Sequence, residues 1–276
     1  MITVQFEGRL GNHLWIYAVC RTIAEQNGYD YHIPRHFAGA GIFNADLGIE
    51  TGHITDVYRE NRSLEKLYEP QIWNIKDNTI LLGYWQTEKY IINNKKNIQE
   101  WFSILNPNTD LINQLGIDDD TCVINFRGED YKHMTDVYLP IQYYNDSINH
   151  IKKLNPNMKF VVITNDVEEA NKFFPNYPAY HLGPKDDFYI VSQAKYLIIA
   201  NSSFSWWAAW LNNNCIFVIA PKYWGRYNVH KGYWCGTDTI TTGWYYVDDQ
   251  GLLTSSNQCL REQCGQNPKG FPHGSL

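Results

Sequence analysis

The chain has 276 residues, 44% of them apolar and 15% aromatic, with a formal net charge of -6 and a pI near 5.8. Such a length predicts two compact lobes with a substantial core, and the composition excludes intrinsic disorder. The acidic balance supplies no basic field, which excludes a nucleic-acid backbone as the main partner and leaves any anion to be held by local groups.

In chain order, "ITVQF" at residues 2–6 predicts a strand that feeds a Gly-rich turn, with neither the basic start nor the long apolar region of a signal peptide. "HLWIYAVCRTIAEQNG" at 13–28 predicts a helix on which Leu14, Tyr17, Ala18 and Ile23 sit beside a polar face, closed by Gly28. "DYHIP" at 30–34 predicts a second strand, whereas 35–78 has weak periodicity and predicts only loops and short helices. "TILLGYWQ" at 79–86 predicts a strand and "EKYIINNKKNIQEWFSIL" at 88–105 a helix, which "NPNTD" breaks. That break, with "LGIDDD" at 115–120, predicts an N-terminal lobe over 1–112 and a C-terminal lobe over 113–250. Residues 251–276, rich in Ser, Asn, Gln, Gly and Pro, are left as an irregular tail.

The second lobe is more regular. The apolar runs "TCVINF", "KFVVITND", "YLIIA" and "CIFVIAPK" alternate with helical segments at 140–155, 167–175, 186–195 and 205–213. The alternation predicts an α/β chain with a parallel, Rossmann-like sheet. No apolar run approaches the roughly 20 residues of a transmembrane helix, so a cytoplasmic protein without a transmembrane segment is expected. Six cysteines with no CxxC spacing predict free thiols, in preference to a site or bridge among Cys235, Cys259 and Cys264. The acidic triplet Asp118 to Asp120 precedes a strand instead of ending one and reads as a solvated turn.

In an open parallel sheet the carboxyl ends of the strands face one crevice, so residues distant in sequence converge there. "NFRGEDY" (125–131), "TND" (164–166) and "NSSFSWW" (201–207) follow three such ends. Ser202, Ser203 and Ser205 stand where a strand gives way to a helix, whose first-turn N–H groups have no intrahelical acceptor. A serine there caps a helix; the same N–H groups, with hydroxyls beside them, also suit a phosphate. Trp206 and Trp210 lie on one helical face, Trp207 and Leu211 on the next, which predicts an aromatic core contact. Arg127 offers a fork for phosphate oxygens or a salt bridge to Glu129 or Asp130. Asp166 can accept hydrogen bonds from a base or ribose, or serve as a turn or cap residue. "GRLGN" at 8–12 departs from a dinucleotide fingerprint, although Gly8 and Gly11 allow close backbone approach and Asn12 offers an amide.

Taken in order, "GRLGNHLWIYAVCRTIA", "GYWQTEKY", "NSSFSWWAAWL" and "APKYW" resemble the α-1,2-fucosyltransferase family over residues 1 to about 225. The resemblance implies a GT-B arrangement of two Rossmann-like lobes with a cleft between them, the nucleotide-sugar donor on the C-terminal lobe and a glycan acceptor in the cleft. It implies inverting transfer of L-fucose from GDP-fucose, with the galactose 2-hydroxyl as acceptor, and without a metal or other cofactor. Residue by residue it assigns Arg127, Asn12 and Asp130 to the chemistry, and His13, which stands where the family has Gln, joins them by residue type. Gly11, Asn125, Asp166, Ser202, Ser203, Phe204 and Ser205 fall to the donor side. Where the family has H-x-R-R-G-D-Y, Asn125 replaces His, Gly128 the second Arg and Glu129 the Gly. One positive charge is lost and one negative gained, which bears on diphosphate affinity and donor identity. The general base is left open among His13, Glu7 and Asp130, or absent if attack is dissociative. A same-fold transferase using another sugar nucleotide, and a non-catalytic glycan-binding module, are the rival readings.

Overall fold

Short β-branched runs alternating with helical segments produce two α/β units, Met1–Leu105 and one that opens at Asn106. They are seen in a computed structural model that describes residues 1–61, 68–225 and 237–264.

In the first unit, β1 (Ile2–Val4) leads into α1 (Leu10–Asn27), followed by β2 (Tyr31–His32), β3 (Asp56–Arg59) and β4 (Thr79–Leu82). All pairings are parallel, in the order β2-β1-β4-β3. Helix α1 opens at Leu10, ahead of the expected His13, so Gly11, Asn12 and His13 form its first turn. Gly28 ends it as expected: at φ 68 its N–H returns to Ala24 and Glu25 carbonyls, a left-handed close that glycine adopts without a Cβ clash. The expected polar face of α1 is narrow, since every residue from His13 to Cys20 is buried. Strand β3 lies where only loops were expected. It is an edge strand whose Val57 is 63% exposed, so it carries no alternating apolar signal. The helix expected over 88–105 is broken into 3₁₀ turns at Glu88–Tyr90 and Ile92–Asn94 and a short α2 (Lys95–Trp101). Ile91, fully buried at φ -127, interrupts the helical backbone.

The second unit contains α3 (Asp110–Gln114), β5 (Thr121–Phe126), α4 (Ile141–Leu154), β6 (Lys159–Thr164), α5 (Val167–Phe173), β7 (Ala179–Tyr180), α6 (Pro184–Gln193), β8 (Tyr196–Ile198) and α7 (Ser203–Leu211). It is completed by β9 (Phe217–Pro221), β10 (Tyr245–Val247), β11 (Leu253–Ser255) and α8 (Ser256–Cys264). Its seven strands run β11-β10-β9-β8-β5-β6-β7, parallel except for the β10–β11 pair. Every residue of β5 is buried, as befits a central parallel strand covered on both faces. The unit begins earlier than the boundary expected at 112/113, because Lys185 on α6 donates to the Asn106 carbonyl at 3.0 Å and Leu111 and Ile117 are buried. The tail expected to be irregular instead supplies β11 and α8 through residue 264; Ser256 and Cys259 are buried there, and small polar residues had masked that packing. Residues 265–276 lie outside the described residues.

The acidic triplet caps the amino end of β5, away from the carboxyl edge: Asp118 pairs with Lys159 and Asp119 with Lys195, while Asp120 accepts from Asn155 at 2.8 Å. Cys20, Cys122, Cys215 and Cys259 are free thiols; Cys235 lies outside the described residues. Among the described residues no helix is long and apolar enough to cross a membrane.

Candidate active site

β8, β5 and β6 are neighbours running in one direction, so their carboxyl ends bring the three predicted segments to one edge of the second sheet. The ends of β5 and β8 are tied directly. Ser205, fully buried in the first turn of α7, donates from Oγ to Asn125 Oδ1 at 2.6 Å, and Asn125 donates from Nδ2 to the Ile163 carbonyl of β6 at 3.2 Å. The Asn125 amide thus fixes strand, neighbouring strand and helix in one buried motif. Two residues on, Arg127 leaves the sheet with its side chain 18% exposed. Its Nη2 contacts Asp130 Oδ1 at 2.9 Å, the salt bridge anticipated as one of its two roles, and its guanidinium carbon lies 5.2 Å from the Tyr131 ring centroid. Its Nε is buried and has no hydrogen-bond partner among the described residues. A buried N–H left unmatched costs free energy, and an anion arriving at this edge would supply the missing acceptor.

The serines are divided in role. Ser202 occupies the N-cap position of α7, but its side chain accepts no hydrogen bond from the first turn, so the expected hydroxyl cap is not formed. The Ser202 carbonyl instead receives the Trp206 N–H at 2.9 Å, while Ser205 is turned inward to Asn125. Ser203 and Phe204 are part-exposed at the helix start, and Phe204 meets Phe188 edge-on at 5.3 Å. Below them Trp206 and Trp210 stack at 5.5 Å, and Trp206 Nε1 donates to Thr241 Oγ1 at 2.7 Å; this aromatic anchor is the one expected. Asn201 donates to the carbonyls of Val137 and Trp224, pinning two loops to the same corner.

Asp166 takes the cap alternative. Its Oδ1 accepts from the Glu169 N–H at 3.1 Å and its Oδ2 from the Glu129 N–H at 3.0 Å and Lys132 Nζ at 2.9 Å. Desolvation opposes its charge, but Lys132 and the two N–H groups outweigh that and hold its carboxyl below the ordinary range. The altered motif is explained locally. A Cβ on Gly128 would lie 2.5 Å from Asp166 Cβ, and the Gly128 N–H donates to Asn165 Oδ1 at 3.0 Å. Glu129 adopts φ 39, in the left-handed region, and its Oε2 accepts from Asn165 Nδ2 at 2.6 Å. The turn from β5 is therefore folded down on the end of β6, with Lys132 as a second cation.

Sequence reasoning passed over Asp187 and His181, beyond β7 at the same edge. Asp187 is 5% exposed and accepts from His181 Nδ1 at 2.7 Å and the Leu182 N–H at 2.9 Å. Burial raises its carboxyl pKa against both partners. The available signal was a helix opened by Pro184 with an acid in its first turn, which reads equally well as dipole compensation.

At the carboxyl edge of the first sheet, Gln86 Nε2 donates to Asn12 Oδ1 at 2.8 Å, joining the "GYWQ" and "GRLGN" turns. Gly8 at φ 80 leads into Gly11 and Asn12 in the first turn of α1, with Gly11 buried. Buried Glu60, another residue not singled out from sequence, accepts from the Tyr84 N–H at 2.7 Å and the Trp85 N–H at 2.9 Å. It thereby holds Trp85 at φ 58. His13 is stacked on Phe6 at 4.4 Å and its Nδ1 accepts from the Ala38 N–H at 3.0 Å. Burial lowers its pKa, the Gly8 main chain opposes that, and nearby His36 adds to it. His13 is thus a neutral strut whose Nδ1 lone pair is occupied, which disfavours it as a general base.

Residues 53–248 match the family model described as Glycosyl transferase family 11. The chain is similar to an alpha-1,2-colitosyltransferase of Escherichia coli, with 32% identity over 168 residues, 55% of this chain and 58% of that protein. It is also similar to the O-antigen biosynthesis glycosyltransferase WbnK of Escherichia coli, with 29% identity over 170 residues, 54% of this chain and 56% of that protein. The chain thus spans a little over half the length of these curated relatives. Among solved structures it is similar to the NodZ α-1,6-fucosyltransferase of Bradyrhizobium (TM-score 0.47, 12% identity, 76% of this chain and 92% of that one). A second likeness is to Arabidopsis thaliana FUT1 with GDP (TM-score 0.46, 12% identity, 79% of this chain and 69% of that one).

Proposed function

The chain belongs to glycosyl transferase family 11, and we propose that it transfers L-fucose, with inversion, from GDP-fucose to a hydroxyl of a glycan acceptor, the galactose 2-hydroxyl. The observation that carries this reading is the buried, unpartnered Nε of Arg127 at the end of β5, beside a helix start that is joined to the same strand through Asn125 and Ser205. Breaking the bond from sugar C1 to phosphate leaves an electron pair and growing negative charge on the diphosphate. In this reading Arg127 and the amino end of α7 stabilise that charge by guanidinium hydrogen bonds and the helix dipole, in place of a divalent cation. Within this reading Arg127 exchanges part of its contact with Asp130 for phosphate oxygens, and the acceptor falls to the N-terminal unit.

The test is turnover. Incubation with GDP-fucose and a panel of galactosides in EDTA is expected to release GDP and yield a fucosylated product; no product and no GDP release with any acceptor contradicts the proposal.

A second reading changes only the donor. The relative named as a colitosyltransferase and the Gly128 and Glu129 departures support a GDP-linked deoxysugar other than fucose. A competition panel of GDP-fucose, GDP-colitose, GDP-mannose and UDP-galactose separates the two.

A further inference from the structure

Resting on the transferase reading, we propose that the second unit carries a separate glycan-binding site, for a stretch of the acceptor chain remote from its reacting end, in the cavity between α4 and the segment entering β7. The cavity has a volume of about 430 Å³, within the roughly 300–1,000 Å³ of small-molecule sites. One wall is a single face of α4, on which Asn145, Ile148, Asn149 and Lys152 recur at three- and four-residue spacing. The other is "FFPNY" at 173–177, which closes α5 and leads into β7.

The lining has the chemistry of a sugar site. Its floor is apolar, with Ile148 and Phe174 both buried. Its rim carries the amides of Asn145, Asn149 and Asn176, which are exposed and make no side-chain hydrogen bond among the described residues. Asparagine is a poor helix former, so two of them one turn apart on an exposed stripe of α4 do not serve the helix. Each amide offers two donors and an acceptor, which matches the mixed donor and acceptor character of pyranose hydroxyls. Lys152 is held in place: its Nζ donates to the Tyr177 hydroxyl at 3.2 Å and lies 5.8 Å from the Tyr177 ring centroid and 5.6 Å from that of Phe160. Its ammonium is thus already engaged, which suits an uncharged glycan over a phosphate. No carboxylate lines the cavity, although the chain carries a net charge of -6, so no anion competes for the donors.

The site is apart from the candidate active edge but within the same unit. Strand β5 ends at that edge, and α4 returns the chain to the amino end of the parallel neighbour β6. At about 1.5 Å per residue, Asn149 lies about 12 Å along α4 from its start at Ile141. A monosaccharide acceptor does not bridge that interval, whereas an extended glycan does. Binding there raises the local concentration of the acceptor's reacting end without touching the chemistry.

The experiment compares the full chain with the double variant Asn145→Ala/Asn149→Ala, whose alanines favour the helix and so preserve the fold. Transfer from GDP-fucose is measured to a galactose-terminated polysaccharide and to methyl β-galactoside, alongside GDP affinity, melting temperature and calorimetric titration with the polysaccharide alone. The expected result is a KM for the polysaccharide raised about 10-fold, the worth of two hydrogen bonds, with kcat, the methyl galactoside KM, GDP affinity and melting temperature unchanged. Identical polysaccharide KM in the two proteins overturns the site and leaves the transferase reading standing. An equal rise for both acceptors also overturns it, since the amides would then act on the reacting sugar or on the fold. If the unmodified chain transfers to neither acceptor, the transferase reading fails and titration decides the site: polysaccharide binding weakened in the double variant supports it, and equal or absent binding overturns it.

Discussion

Ser205 Oγ and Asn125 Oδ1, 80 positions apart in sequence, meet at 2.6 Å in the interior of the second unit. This bond sets where α7 begins relative to the end of β5, and so sets the spacing between the helix's first turn and Arg127. Ser205→Ala leaves the Asn125 oxygen without this donor. The expected cost is about 1–3 kcal/mol of stability, read as a lower urea midpoint, with weaker GDP binding. Unchanged stability would mean that the amide is satisfied in another way.

Gly128 stands where the related family has arginine, yet restoring the cation is expected to harm the protein. A side chain there must displace Asp166 Cβ, which the new Cβ would approach to 2.5 Å. Gly128→Arg should lower the melting temperature and fail to tighten GDP binding. Tighter binding with no loss of stability would show that the turn after β5 readily opens.

The Asp166 carboxyl titrates below its unfolded value of about 3.9, because Lys132 and two N–H groups favour the anion more than desolvation penalises it. The sign follows from linkage: its stabilisation is fully present above about pH 4 and is lost as pH falls through the lower folded value. Asp166→Asn can still cap α5 but loses the attraction of Lys132. It should be less stable at pH 7 and show a shallower acid dependence below pH 4 in denaturant titrations. An acid limb identical to the parent's would assign that pH dependence to other carboxyls.

Glu60 accepts two consecutive main-chain N–H groups and so retains Trp85 in a left-handed conformation. Glu60→Gln offers only one acceptor oxygen and sets an amide donor against the other N–H. A loss of about 1–3 kcal/mol is expected, with reduced transfer because Gln86 no longer meets Asn12. Thermal melts alongside turnover measure both.

Much of this was legible in the sequence where burial on both faces left continuous apolar runs. β5, β6, β8 and β9 each correspond to such a run, and their carboxyl ends correctly brought Asn125, Arg127, Asp166 and the serines to one edge. The short strands β7, β10 and β11 were not legible: they lie outside the continuous apolar runs that marked β5, β6, β8 and β9 and are defined by pairing with a neighbour. The inward role of Ser205 was not legible because local preference cannot reveal a buried acceptor 80 positions away. Glu60, Lys132 and Asp187 were missed for the same reason, since each has its role only through a contact made by folding.

The most direct test of the proposed diphosphate site is calorimetric titration of GDP into the chain and into Arg127→Ala, both in EDTA. Saturable binding to the unmodified chain is expected without a divalent cation, weakened about 10- to 100-fold when the guanidinium is removed, in line with the worth of charge-assisted hydrogen bonds. Equal affinity in the two proteins, or binding only when a divalent metal is restored, would contradict it.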